Sequence, residues 1–150
     1  MKNDQSVEVL NSLIIINNDR VAGYETAIEE TKDADLKTLF RQFIQTSQAC
    51  KSELVAEVNK VGGKPDEGTR ADGKIYRAWM DFKSMVTGKD RKAILSSCEK
   101  GEDVAVNTYE KALKDEHLPP SLTSLVTAQY NKIKKDHDTV RNLRDTAVNA

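Results

Sequence analysis

The stretch KKDHDTV, Lys134 to Val140, sets His137 between Asp136 and Asp138, and the chain holds one other histidine, His117. Imidazole and carboxylates are the donors a transition metal takes from a protein. Glu99 and Glu102 stand three residues apart, neighbours on a helix surface if the segment is helical, and Cys50 adds a thiol. A paired iron or manganese centre in a helical bundle needs a Glu from each of two helices and a Glu-x-x-His pair from each of the other two, all at one depth. The matching positions here read Ser47-x-x-Cys50 and Lys134-x-x-His137, and the inward row of the first segment carries Asn17, with Glu25 far from it. Too few carboxylates remain to neutralise two divalent ions, so no di-metal centre is expected. Three readings stay open. In the leading one, Glu102 pairs with Lys134, Asn17 hydrogen-bonds across the bundle and His137 flanks the core, a polar layer that fixes helix register. In the second, Glu99 or Glu102 binds a single transition metal such as iron or zinc together with Asp136, His137 and Cys50. In the third, the same groups hold water or a small ligand.

Other chemistry is served less well. The stretch GGKPDEG follows a helical pattern rather than a strand and lacks the Gly-x4-Gly-Lys-Ser/Thr spacing of a phosphate loop. No Ser, Thr or Cys stands with a histidine and a carboxylate as a nucleophile would need, and Cys98 lies beside Glu99, whose charge disfavours a thiolate. Tyr24, Tyr109 and Tyr130 read as core-edge residues. The expectation is therefore no catalytic residue, no bound cofactor and no enzymatic activity.

The elements that must position these residues are helical throughout. Leu10, Ile14, Asn17, Val21, Tyr24 and Ile28 recur at three- and four-residue steps and predict a helix from about Asp4 to Thr31. Leu36, Phe40, Phe43, Ser47, Cys50, Leu54 and Val61 mark a second, stopped by Gly62, Gly63 and Pro65. A polar loop leads to a short helix with Ile75, Trp79, Phe82 and Val86 on its apolar face, interrupted by TGKD. Leu95, Cys98, Ala105, Tyr109 and Ala112 trace a third long helix, and after Pro119 and Pro120 a fourth carries Leu122, Val126, Ile133, Val140 and Leu143. Short links join helices one to two and three to four, whereas the middle segment can rise about 25 Å along the bundle if its short helix holds, the alternative being a short helix folded across one end. That predicts an all-α four-helix bundle with one long crossover between helices two and three, a single domain spanning residues 1–150.

The runs DRVAGYETA, VGGKP, RAWMDFKSMVTGKDRKAILSSCEKGEDVAVNTYEKAL, LPPSL and HDTVRNLRD resemble a bacterial family of ferritin-like four-helix-bundle proteins of unknown function. The resemblance covers about Val9 to Asp145. It implies the fold, and it carries no chemistry with it, because shared architecture does not transfer function.

Charge and hydropathy narrow the rest. Lys plus Arg number 23 against 24 Asp plus Glu, without a long block of either sign, so neither nucleic acid nor an anionic membrane is an expected partner. The start, MKNDQSVEVLNSL, has polar residues where a signal peptide is apolar, which makes the cytoplasm the default location. Cys50 and Cys98 lack metal-type spacing and are expected as free, buried thiols. Tyr76, Met80 and Met85 give the short helix a second apolar side, which predicts a homodimer. The expected function is a structural or interaction module with an unknown protein partner, possessing the stress association common among ferritin-like bacterial proteins. The alternative is a metal-binding or redox protein with a reduced site.

Overall fold

The structure, a computed structural model, describes residues 2–66 and 91–147. Four long helices account for nearly all of them: α1 (Lys2–Glu30), α2 (Ala34–Lys60), α3 (Arg91–Lys114) and α4 (Thr123–Thr146), the last entered through a 3-10 turn at Pro120–Leu122. The predicted short helix at Ile75 to Val86, and the dimer face assigned to it, lie outside the described residues.

The helix ends follow local chemistry. The α1–α2 link is three residues, so the two helices are antiparallel neighbours. At the far end of α2, Gly62 takes a left-handed φ of 74°, Gly62 N–H donates to Asn59 O and Gly63 N–H to Val58 O. This is the Schellman stop that glycine favours because it carries no Cβ penalty there. Gly63 has a second constraint, since a Cβ on it would meet Val7 Cγ2 of α1 at 2.5 Å. Pro119 and Pro120 open the approach to α4, where a missing amide costs nothing.

Polar contacts between helix ends establish the topology. Arg91, at the start of α3, bonds Asp33 and Asp35 at the start of α2, so α3 begins at the end where α2 began. Ser6 donates to His117 O, Asn17 to Tyr109 Oη and Arg20 to Glu102, a descending series that makes α1 and α3 antiparallel. Gln129 reaches Cys50 O and Glu53 on α2. The chain after α2 starts up the side of α1: Asn11 donates to Lys64 O and accepts from Asp66 N. α2 and α3 therefore run in the same direction, and the end of α2 and the start of α3 lie at opposite ends of the bundle.

Apolar layers fill both halves. Leu10, Leu13, Ile14, Leu54 and Val126 are buried in one half, and Leu36, Phe40, Ile94, Leu95 and Val140 in the other. Tyr24, Phe40 and Phe43 stack as a tilted trio with centroids 5.2 to 6.4 Å apart. Between the halves the packing becomes polar. One predicted row shifts by a residue: Val21 is only half-buried, and Arg20 is wholly buried in its place. Among the described residues, no helix is long and apolar enough to cross a membrane.

Candidate functional site

The bundle centre is built around Arg20. Its Nε donates to Glu102 Oε1 and its Nη2 to Glu102 Oε2, each at 2.7 Å, the two-pronged geometry in which guanidinium and carboxylate match best. Nη1 donates to Ser47 Oγ at 2.5 Å and Nη2 also to Asp136 Oδ2 at 3.2 Å. Tyr24 Oη donates to Glu102 Oε2 at 2.5 Å, and the guanidinium carbon lies 5.5 Å from the Tyr24 ring centroid. All four helices contribute: Arg20 and Tyr24 from α1, Ser47 from α2, Glu102 from α3 and Asp136 from α4. Arg20 and Glu102 are completely shielded from water.

Burial sets the electrostatics. It works against the Arg20 charge, but the attraction and hydrogen bonds of Glu102 outweigh it, so the guanidinium holds its proton more firmly than a free arginine. Burial, then the Glu102 charge, push the Tyr24 phenol well above its usual range and keep it a neutral donor. Asp136 is raised to about 6, chiefly by burial and further by Glu102, against the pull of Arg20. Burial also lifts the Cys50 thiol to about 11, and burial plus Glu102 lift Cys98 well above its ordinary value. Both cysteines are free and buried, and neither forms a thiolate at neutral pH.

One turn away lies a second layer, neutral in its buried side chains. Asn17 Nδ2 donates to Leu13 O and to Tyr109 Oη, Tyr109 donates to Gln129 Oε1, and Gln129 Nε2 donates to Cys50 O and Glu53 Oε1. The relay links all four helices. Asn17 Oδ1 is buried without a hydrogen-bond partner.

The sequence-predicted residues thus separate into three places. Glu102 and Asp136 meet at Arg20; Lys134, the expected partner of Glu102, is exposed, and the pairing is overturned by the Arg20 contacts. Cys50 enters the neutral layer through its backbone carbonyl. Glu99 and His137 come together at the α3–α4 seam, joined by Asp103, which sequence spacing did not single out. There His137 Nε2 lies 2.6 Å from Asp103 Oδ1 and Nδ1 lies 3.0 Å from Asp138 Oδ1, while Arg144 pairs with Glu99. His137 does flank the core, nearly buried. An open groove of about 390 Å³ between α1 and α3, lined in part by Glu8, Ser12, Thr108, Lys111 and His117, includes none of these candidates.

A ferritin-type pair of metal ions does not fit this centre. Such ions need several carboxylates with free lone pairs. Here both oxygens of Glu102 already accept hydrogen bonds, and a fixed cation, Arg20, stands among the groups that would be ligands. Arg20, Tyr24, Ser47, Glu99, Glu102 and Asp103 all fall within residues 5–115, which match a known family model. The chain belongs to the family described as a domain of unknown function, DUF2383. The α4 contributors Gln129, Asp136 and His137 lie beyond the matched part of this DUF2383 chain. No curated protein matches it.

Proposed function

We propose that this DUF2383 chain is a non-enzymatic helical module of the ferritin-like type, working through its surfaces as a homodimer and with a further protein partner. The observation that carries this reading is the commitment of Glu102, whose two oxygens are taken by Arg20 and Tyr24. A carboxylate so engaged, sealed from water with a fixed guanidinium against it, is poorly disposed to take up a substrate or a metal. What the pair supplies is register. A slip of one turn between α1 and α3 would leave a guanidinium and a carboxylate buried and unpaired, a cost of several kcal/mol. A stress-associated role is suggested by the resemblance to ferritin-like bacterial proteins. Among the described residues Val61 alone is a large apolar side chain exposed to solvent. The dimer reading rests on the sequence of the segment with Tyr76, Met80 and Met85, whose apolar residues exceed what one buried helix stripe takes.

Two measurements test the reading. Chelator-treated protein given iron(II) in air is expected to oxidise it no faster than buffer does, and light scattering is expected to give twice the chain mass of 16.8 kDa. Two irons per chain, retained through dialysis and lost in Glu102→Ala, would overturn the non-enzymatic reading; a mass of one chain would remove the dimer.

A further inference from the structure

Glu102 and Asp136 face the bundle centre, and each is followed by a residue turned about 100° around its helix. Those residues, Asp103 and His137, meet at the edge between α3 and α4, with Glu99 one turn before Asp103 on the same face of α3. One ligand atom from each of Glu99, Asp103 and His137 lies within 4.8 Å of the others. We propose that these three side chains bind a single divalent transition cation of the zinc class, His137 through Nε2, with water in the remaining position. The site is separate from the Arg20 centre and does not rest on the interaction-module reading.

The His137 ring provides the first argument. Nδ1 lies 3.0 Å from Asp138 Oδ1 and Nε2 lies 2.6 Å from Asp103 Oδ1, so each ring nitrogen faces a carboxylate. At 2.6 Å the Nε2 contact with Asp103 is a hydrogen bond, and a metal would take the place of its proton on Nε2 with Asp103 already beside it as the next ligand. A carboxylate on the far nitrogen is also the usual support of a metal-bound histidine, since it fixes the ring and strengthens the donor. Asp138 lies outside the ligand set and fills that role.

Charge provides the second. Glu99 and Asp103 are four residues apart on one helix face, a spacing at which like charges repel. Arg144 relieves this at Glu99, and it is held at the same time by Asp145 Oδ1 at 2.8 Å, so it keeps a partner if a metal takes Glu99. Two carboxylates neutralise a divalent ion. One imidazole and two carboxylates form a mixed set that suits zinc and its neighbours better than magnesium or calcium, which take oxygen throughout. Access is open, because the Asp103 side chain is 57% exposed.

The test is calorimetric titration of chelator-treated full chain with zinc at neutral pH. One zinc per chain is expected. Asp103→Asn, at an exposed position that leaves the fold intact, and Glu99→Gln should each weaken binding at least about tenfold, and Asp138→Asn about tenfold, in the range found for supports of metal ligands. Arg144→Gln should tighten it, and His117→Ala should leave it unchanged. Absence of binding at micromolar zinc would overturn the proposal. So would binding that survives Asp103→Asn and Glu99→Gln together, or that disappears with His117→Ala.

Discussion

The bundle centre and the α3–α4 seam are offset by one residue on two helices, yet they handle charge in opposite ways. At the centre, Arg20 and Glu102 are sealed from water and satisfied by neighbours on every helix. At the seam, Asp103 is mostly exposed, His137 stands between two carboxylates and Arg144 leans in from the side. A buried charge has to bring its partner from within the fold, because no ion or water can be drawn in afterwards at acceptable cost. A half-exposed cluster can leave its counterion to solution. The contrast explains why a bundle of this architecture keeps a cation at its centre without a ferritin-type ligand set: the guanidinium supplies the positive charge that metals supply elsewhere.

The contrast breaks most readily at Glu102. Glu102→Gln leaves the guanidinium buried with only Asp136 to offset it, and chemical denaturation should register a loss of about 3 to 5 kcal/mol. A loss below about 1 kcal/mol would mean that water reaches the centre. Asp136 gives the next largest effect, and one that depends on pH. Its folded value of about 6 lies above the 3.8 of an unperturbed aspartate, so the folded chain binds the extra proton. Its contribution is complete below about pH 4 and is lost as pH rises through about 6. The wild-type chain should gain about 1 kcal/mol relative to Asp136→Asn between pH 7 and pH 5, and the difference between the two chains removes the titration of all other groups. Parallel curves for the two would place Asp136 in solvent. The smallest change belongs to the seam: Asp103→Asn should shift stability by no more than about 0.5 kcal/mol, as for exposed ion pairs. A loss comparable to that of Glu102→Gln would erase the distinction between the two regions.

Most of the fold was legible because apolar side chains at three- and four-residue steps match the helical period and not the alternation of a strand, and because Gly62, Gly63, Pro119 and Pro120 mark ends by their backbone chemistry. That α3 begins at the end where α2 began was expected from the link lengths together with a short helix in the middle segment, which lies outside the described residues. The depth of the polar layer was also correct to about a turn, with Asn17, Ser47, Cys50 and Glu102 near mid-bundle. The cation in that layer was not legible. Between Asn17 and Tyr24 the row can pass through Arg20 or Val21, and hydropathy selects valine, whereas the structure buries arginine. A usable signal did exist: a glutamate on the inward row of α3 requires a buried partner, and Lys134 sits on a row that Ile133 and His137 turn outward. Asp103 was hidden for a different reason. It belongs to no apolar stripe, and its meeting with His137 depends on the rotation of α3 against α4, which spacing within a single helix does not encode.

A double-mutant cycle on Arg20 and Glu102 measures the internal pairing most directly. Arg20→Met, Glu102→Leu and the combined variant would be unfolded in urea beside the wild type. Each single variant leaves one buried charge alone and should lose about 3 to 5 kcal/mol, whereas the pair together should recover most of that, with a coupling of at least about 2 kcal/mol. Additive losses, with a coupling below about 0.5 kcal/mol, would contradict the claim that Arg20 is the counterion that the bundle centre was built around.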